Sequence, residues 1–314
     1  MTNFRTIILG LGVQGEKRKN IAGSDVVCVV DPFKKNADYK KVSQVPIDSF
    51  DAALVCTPDE AKIDIINYLI ENKKHVLVEK PLWSSTKDEL INIQKSCQRN
   101  KVICYTAYNH RFEPHFIRMK ELLDSGLLGN IYSCRVFYGN GTATLVKKST
   151  WRDKGTGVLN DLGSHLLDLC AYWFQEQKNN FKIISSNRFE NNSYDHIVLS
   201  NETSMPRIEL EMTLLMWRNH FTCDILAEKG SAHIESLCKW GPSKFIYRKR
   251  IFPSGRPPEE VTTLVQDDPT WKQEYIYFKK LCLNKTYEIN DNNLNKDIWL
   301  QENLTQIASE ASNK

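Results

Sequence analysis

Thr6-Ile-Ile-Leu-Gly-Leu-Gly-Val-Gln-Gly15 is the stretch that decides the fold of this 314-residue chain. A short run of strand-forming residues, Thr6 to Leu9, leads into glycines at 10, 12 and 15 and then into a segment able to form a helix. Glycines at this spacing permit a tight turn and let backbone N–H groups approach a pyrophosphate at a helix N-terminus. The pattern alone is weak, but its surroundings are right. The next apolar run, Val26 to Val30, closes on Asp31, about 20 residues past the first glycine. A carboxylate there can accept hydrogen bonds from an adenosine ribose and repel a 2′-phosphate. Gly10, Gly12, Val13, Gln14, Gly15 and Asp31 are therefore the candidate dinucleotide contacts, with NAD preferred to NADP.

Outward from that turn the pattern repeats. Ala52 to Cys56, His75 to Val78 and Val102 to Tyr105 are short and almost continuously apolar, as expected of parallel strands covered on both faces. Asp59 to Glu71 and Lys87 to Asn100 carry helical periodicity between them. Such alternation predicts a doubly wound α/β sheet of the Rossmann type. In that architecture strand ends line the cofactor crevice, so Thr57 and Pro58 are candidates for the nicotinamide half. Glu79 and Lys80 reach the same edge after the strand that starts at His75, and Pro81 stiffens the turn. A lysine there can hydrogen-bond a reacting oxygen and stabilise negative charge as it develops.

After about residue 112 the periodicity changes. Glu113 to Ser125 reads as a helix, followed by strands with two-residue alternation. Ile208, Leu210, Met212, Leu214 and Met216 fall on one face, with Glu209, Glu211 and Thr213 on the other. Tyr132 to Tyr138, Lys182 to Arg188, Tyr194 to Leu199, His220 to Leu226 and Phe245 to Ile251 are further strands. The expectation is a Rossmann domain over 1–112 and an α+β domain over 113–314 with a large, mainly antiparallel open sheet. The closing helix, Asp297 to Ser309, is able to pack back on the first domain.

Composition excludes several classes of function. A formal net charge of +4, with basic residues interleaved among acids, does not fit a dedicated nucleic-acid binder. Nine dispersed cysteines without a paired spacing, and no clustered histidines, point to free thiols in the cytoplasm and to no metal site. No run approaches the length of a membrane span.

The second half contains one stretch with chemical content, Gly155-Thr-Gly-Val-Leu-Asn-Asp-Leu-Gly-Ser-His-Leu-Leu-Asp168. On a helix, Asp161 and His165 lie one turn apart on the same face. A carboxylate can orient the imidazole and stabilise its protonated form, and a histidine is a natural proton carrier near neutral pH. Lys147, Lys148, Arg152 and Lys154 precede this stretch and could meet a diphosphate.

GLGVQG, the VCTP strand end, VEKPL, Tyr108-Asn-His-Arg-Phe112 and GVLNDLGSHLLD stand in the order seen in the Gfo/Idh/MocA oxidoreductases, and the chain resembles that family over nearly its whole length. The resemblance implies an NAD(P)-binding first domain. It also implies a second domain whose sheet mediates homo-oligomerisation, as a dimer or tetramer. Carried over by motif, Lys80, Asp161 and His165 form the catalytic set, and Tyr108, Asn109, Arg111 and Arg152 join Asp161 and His165 as substrate contacts. One motif departs. Many members have TPNxxH where this chain has Thr57-Pro-Asp-Glu-Ala-Lys62. The phrases YNHRFEPHF, FYGNGTA and STWRDKGTG look like members from bacterial surface-polysaccharide gene sets, so a nucleotide-linked sugar is an expected substrate. The reading is a sugar dehydrogenase or reductase with no nucleic-acid or membrane partner. The alternatives are a cyclitol dehydrogenase, an NAD-dependent glycosidase of the same fold, and a non-catalytic NAD-binding regulator.

Overall fold

A computed structural model describes residues 4–149, 152–174, 181–201, 205–253, 255–284 and 294–312. In chain order the elements are β1 (Thr6–Leu9), α1 (Val13–Ala22), β2 (Val26–Val30), β3 (Ala52–Val55), α2 (Asp59–Glu71), β4 (His75–Glu79), α3 (Lys87–Asn100) and β5 (Cys104–Ala107). Then follow α4 (Pro114–Asp124), β6 (Ile131–Gly139), α5 (Ala143–Lys147), α6 (Ser164–Phe174), β7 (Lys182–Asn187), β8 (His196–Ser200) and β9 (Arg207–Thr213). The last are β10 (His220–Ala227), β11 (Gly230–Glu235), β12 (Ser243–Lys249), β13 (Glu259–Leu264), α7 (Thr270–Leu283) and α8 (Leu294–Ser312).

The chain forms two compact units. The first comprises Met1–Asn109 and Pro269–Gln301. Its five strands are parallel in the order β2-β1-β3-β4-β5. Every residue of β1 and β3 is buried, because helices cover both faces and leave no side for water. The strand order reverses between β1 and β3, which in open α/β sheets marks the ligand crevice at the carboxyl ends.

The sequence reading assigns 269–301 to the second domain. The structure groups that segment with the first unit, and the reason is apolar. Tyr275, Phe278, Leu281 and Cys282 of α7 complete one layer with Phe4, Ile8, Leu54 and Tyr105, while Leu294 joins the layer on the other face.

The second unit comprises His110–Asp268 and Glu302–Lys314. Its eight strands run β13-β12-β11-β10-β6-β9-β8-β7, antiparallel throughout except for β6 beside β9. The alternation expected at 208–212 is present: Ile208, Leu210 and Met212 are fully buried while Glu209 and Glu211 are half-exposed. β9 ends at Thr213, whose hydroxyl donates to the Asp195 carbonyl. Trp173 of α6 donates its indole N–H to the Phe116 carbonyl of α4 at 3.0 Å, so a buried polar group tethers these two helices. Among the described residues no helix is long and apolar enough to cross a membrane.

Candidate active site

In the first unit the candidate cofactor site is mostly main chain. Gly10 has φ +88°, and a Cβ on it would lie 2.7 Å from the Cys56 carbonyl oxygen, so the turn admits only glycine. At Gly15 an added Cβ would lie 1.9 Å from the Gly10 carbonyl oxygen, which is how closely α1 packs on the turn. Gly12 is different: a Cβ there would meet nothing within 4 Å. It is the N-cap of α1 and offers no side chain to the helix end, while Val13 and Gln14 beside it are exposed. The space above Gly12 is the cradle a pyrophosphate needs, lined by the N–H groups of the first helical turn.

Asp31 follows β2 and accepts N–H groups from Leu11 at 2.7 Å, Phe33 at 2.8 Å and Lys34 at 3.0 Å. Burial opposes its charge, but these three bonds and the nearby Lys34 ammonium outweigh that and hold its carboxyl below the usual range. Thr57, just past β3, has a buried hydroxyl oxygen with no hydrogen-bond partner among the described residues. Pro58 is the N-cap of α2. An open cradle, an anchored carboxylate and an orphaned hydroxyl fit a dinucleotide.

Lys80 follows β4, is half-buried and precedes Pro81 through a cis peptide bond. The main chain on either side of it is held by one buried cation. Lys62 donates to the Glu79 carbonyl at 2.8 Å and the Pro81 carbonyl at 3.2 Å, and pairs with Asp59 at 2.6 Å. The two departures from the TPNxxH pattern, Asp59 and Lys62, are thus partners of each other. The Glu79 side chain, expected at the cofactor, receives Arg18 at 2.7 Å, and Arg18 also meets Glu274 at 2.6 Å. Burial pushes Glu274 up to about 7 against the pull of Arg18, with Glu79 adding to the rise, because one guanidinium serves two carboxylates. Tyr108 is fully buried, with the Lys296 ammonium 4.1 Å over its ring. Asn109 is buried and donates to the Thr270 hydroxyl at 2.7 Å. Both are interior groups of the first unit.

In the second unit the helix expected through 155–168 is not uniform. Leu159–Gly163 forms a π turn that carries Asp161, and α6 begins at Ser164 with His165 as its second residue. Gly163 lets this turn lie against β9: a Cβ there would be 2.8 Å from the Met212 sulfur. Such turns are frequent at functional sites because they redirect side chains without ending the helix. Asp161 faces Arg152 at 3.4 Å. Arg111 is engaged elsewhere, with its Nε 2.9 and 3.2 Å from the two oxygens of Asp168 on α6 and its guanidinium over the Tyr172 ring.

The sequence reading missed four residues here. His110 stacks on His165 with ring centroids 4.0 Å apart and planes 21° from parallel. Lys239 places its ammonium 3.0 Å from His110 Nε2. Tyr138 of β6 lies 5.6 Å from the His110 ring, and Trp240 lies 5.7 Å from Tyr138. Burial, with the Asp161 carboxylate adding to it, raises the Tyr138 phenol above its usual range and keeps it neutral. His110 sits inside a motif the sequence displays. Lys239 and Trp240 lie in the turn after β11 and carry no sequence signal.

Two family models match separate parts of the chain. Residues 4–108 match the oxidoreductase family model with an NAD-binding Rossmann fold, and residues 116–233 match the Gfo/Idh/MocA C-terminal domain. Glucose-6-phosphate 3-dehydrogenase of Bacillus subtilis (strain 168) is 29% identical over 170 residues, covering 49% of this chain and 48% of that one. The scyllo-inositol 2-dehydrogenase (NAD+) of the same organism is 29% identical over 188 residues, covering 54% and 53%. The chain thus matches about half the length of these curated relatives. Levoglucosan dehydrogenase in complex with NADH shares the fold, with a TM-score of 0.81 at 15% identity over 98% of this chain and 97% of that one. With both halves matched and the expected two-unit architecture present, the chain belongs to the Gfo/Idh/MocA family of oxidoreductases.

Proposed function

We propose that this protein is an NAD-dependent dehydrogenase or reductase acting on a CH–OH carbon of a sugar or sugar derivative, with a nucleotide-linked sugar the leading candidate. When bound, NAD supplies the carbon that accepts or returns the hydride. In the oxidation direction His165 takes the hydroxyl proton at a ring nitrogen, and Asp161 stabilises the imidazolium that results. Lys80 donates to the reacting oxygen, and the Lys62 bonds on either side hold its main chain in place. Arg152 pairs with Asp161 at 3.4 Å, which supports a role in meeting an anionic group on the substrate.

The observation that carries this reading is the π turn leading into α6. It brings Asp161 and His165 to one neutral, buried ring, Tyr138, whose phenol feels the Asp161 charge and whose ring lies 6.5 Å from His165. A carboxylate and an imidazole on a shared apolar floor, both partly open to solvent, supply the two groups an acid/base pair needs.

Two further parts of the reading concern setting. All nine cysteines are free thiols, which supports a reducing, cytoplasmic location. The outer face of the eight-stranded sheet keeps Leu226 and Val261 exposed, at 56% and 50%, which supports homo-oligomerisation through that face. The test is turnover of purified protein with NAD across sugars, sugar phosphates, nucleotide-sugars and cyclitols. Stoichiometric NADH with at least one of them is expected. No turnover with any, or bond cleavage without net NADH, overturns the reading.

A further inference from the structure

We propose that Lys239 and His110 are positioning residues for His165: Lys239 locks the tautomer of His110, and the locked ring fixes the plane of His165. The proposal rests on the reading of His165 as the proton carrier.

The lock follows from donor and acceptor chemistry. An ammonium has three donors and no acceptor, whereas a neutral imidazole has one nitrogen of each kind. With Lys239 Nζ 3.0 Å from His110 Nε2, that nitrogen must accept, so the ring proton belongs on Nδ1. A doubly protonated His110 would set two donors and two cations against each other. The contact therefore selects a neutral ring in a single tautomer.

The surroundings leave that ring little freedom. His110 is only 5% exposed. Phe116 of α4 meets it edge-on at 6.3 Å, Tyr138 of β6 lies 5.6 Å away, and His165 of α6 covers its face at 4.0 Å. Among the described residues of the second unit, Lys239, Tyr138 and His165 are titratable groups that face it; Tyr138 stays neutral, and the Glu113 carboxylate lies near enough to feel the Lys239 charge. Lys239 is aimed in turn, its ammonium 4.8 Å from the Trp240 ring centroid and 5.9 Å from that of Tyr138. For His165 to tilt about its side chain, it would have to move a ring pinned at the far nitrogen.

The consequence for chemistry is twofold. A proton carrier must hold its nitrogen in line with the reacting hydroxyl, and small angular errors lower the rate steeply. It must also gain and lose charge. A neutral aromatic face tolerates a cation stacked on it, whereas a second imidazolium would repel one. The Lys239–His110 pair supplies both conditions and assigns proton carriage to His165 rather than to His110.

The test is nitrogen NMR of the full chain labelled with 15N-histidine, with and without saturating NAD. The chain has seven histidines, and the His110 signals are assigned by their loss in His110→Phe. At neutral pH the expected His110 spectrum has a protonated Nδ1 and an acceptor Nε2, and Lys239→Met moves it toward the Nε2–H form. A wild-type His110 with its proton on Nε2 or on both nitrogens overturns the lock, as does a Lys239→Met spectrum with the tautomer unchanged.

Positioning is read separately, with the substrate found in the panel. Lys239→Met and His110→Ala lower kcat by about tenfold or more while the Kd for NAD is unchanged. His110→Phe, which keeps a stacking ring, loses less than His110→Ala. Should His110→Ala fail to fold, Lys239→Met, on a partly exposed side chain, still carries the measurement. Wild-type kcat in Lys239→Met overturns the positioning role. If the wild-type protein turns over no sugar, the dehydrogenase reading fails by itself, and the NMR result still decides the lock.

Discussion

The groups that the first unit offers a ligand are chiefly main chain: the N–H groups above Gly12, the turn at Gly10 closed on the Cys56 carbonyl, and the strand ends on either side of the β1/β3 switch. In the second unit the candidate site is a cluster of side chains drawn from separate elements. Asp161 comes from a π turn, His165 from α6, His110 from the entry to α4, Tyr138 from β6 and Lys239 from the turn after β11. Main-chain sites tolerate variation at every position except the glycines that make room, whereas side-chain sites depend on each member. Substitution should therefore produce opposite patterns in the two units.

The largest expected effect is at His165. His165→Asn removes the proposed proton carrier while keeping a polar side chain of similar reach, and kcat should fall roughly a hundredfold or more. The Kd for NAD, measured by calorimetry, should not change. Near-normal turnover would move the base to another residue, with Lys80 the first suspect, and would make the main-chain unit the seat of the chemistry as well.

Arg111 comes next, and here sequence and structure give different forecasts. The motif reading makes Arg111 a substrate contact. The structure gives it two hydrogen bonds to Asp168, which is 2% exposed. Breaking a buried ion pair destabilises by about 3 kcal/mol, and Arg111→Met should lower stability on that scale in urea unfolding. In the protein that remains folded, KM should hold. A raised KM with unchanged stability would return Arg111 to the substrate.

These cases show what was legible in the sequence. GLGVQG, Asp31 and the apolar runs 6–9, 26–30 and 52–56 encode backbone geometry locally, so the parallel sheet and its cradle could be read directly. The helix at 270–283 was missed because Tyr275-Ile-Tyr-Phe278 favours strands by composition. Its helical spacing has a purpose only against the first sheet, more than 160 residues earlier in the chain. The π turn escaped because an i, i+4 pair looks the same in sequence whether the helix is regular or bulged. Lys239 and His110 meet across 129 residues through one nitrogen, and no periodicity records that.

Gly12 gives a smaller effect and the sharpest test of the main-chain site. Gly12→Ala adds a methyl into space that the protein alone leaves open, so Tm without cofactor should stay within a few degrees. With cofactor, overpacking of about 1–3 kcal/mol weakens NAD binding by roughly five- to 150-fold. Gly15→Ala should behave differently and lower Tm even without cofactor, since its methyl would run into the Gly10 carbonyl. Equal effects of the two on Tm would mean that Gly12 is a structural glycine and that the cradle lies elsewhere.

The smallest effect concerns Asp31, a charged side chain in the main-chain site. Burial opposes its ionisation, but three N–H donors and Lys34 hold it charged below the usual range. An aspartate ordinarily titrates near 3.9, so its contribution to stability is complete above roughly pH 4 and is lost only as pH falls through the lower folded value. Over about pH 5 to 8 its charge is constant, while a 2′-phosphate, whose second proton leaves near about pH 6, goes from about one negative charge to nearly two. The ratio of NADP to NAD Kd should therefore climb with pH in the wild-type protein and level off above about pH 7. Asp31→Ser removes the repulsion and leaves Lys34 nearby, so the ratio should shrink several-fold, with NADP binding tightened and NAD binding weakened. A ratio unchanged by the substitution would mean that the main chain alone sets the cofactor preference. A ratio that went on climbing well above about pH 7 in the wild-type protein would point to a titrating group other than Asp31 and the 2′-phosphate itself.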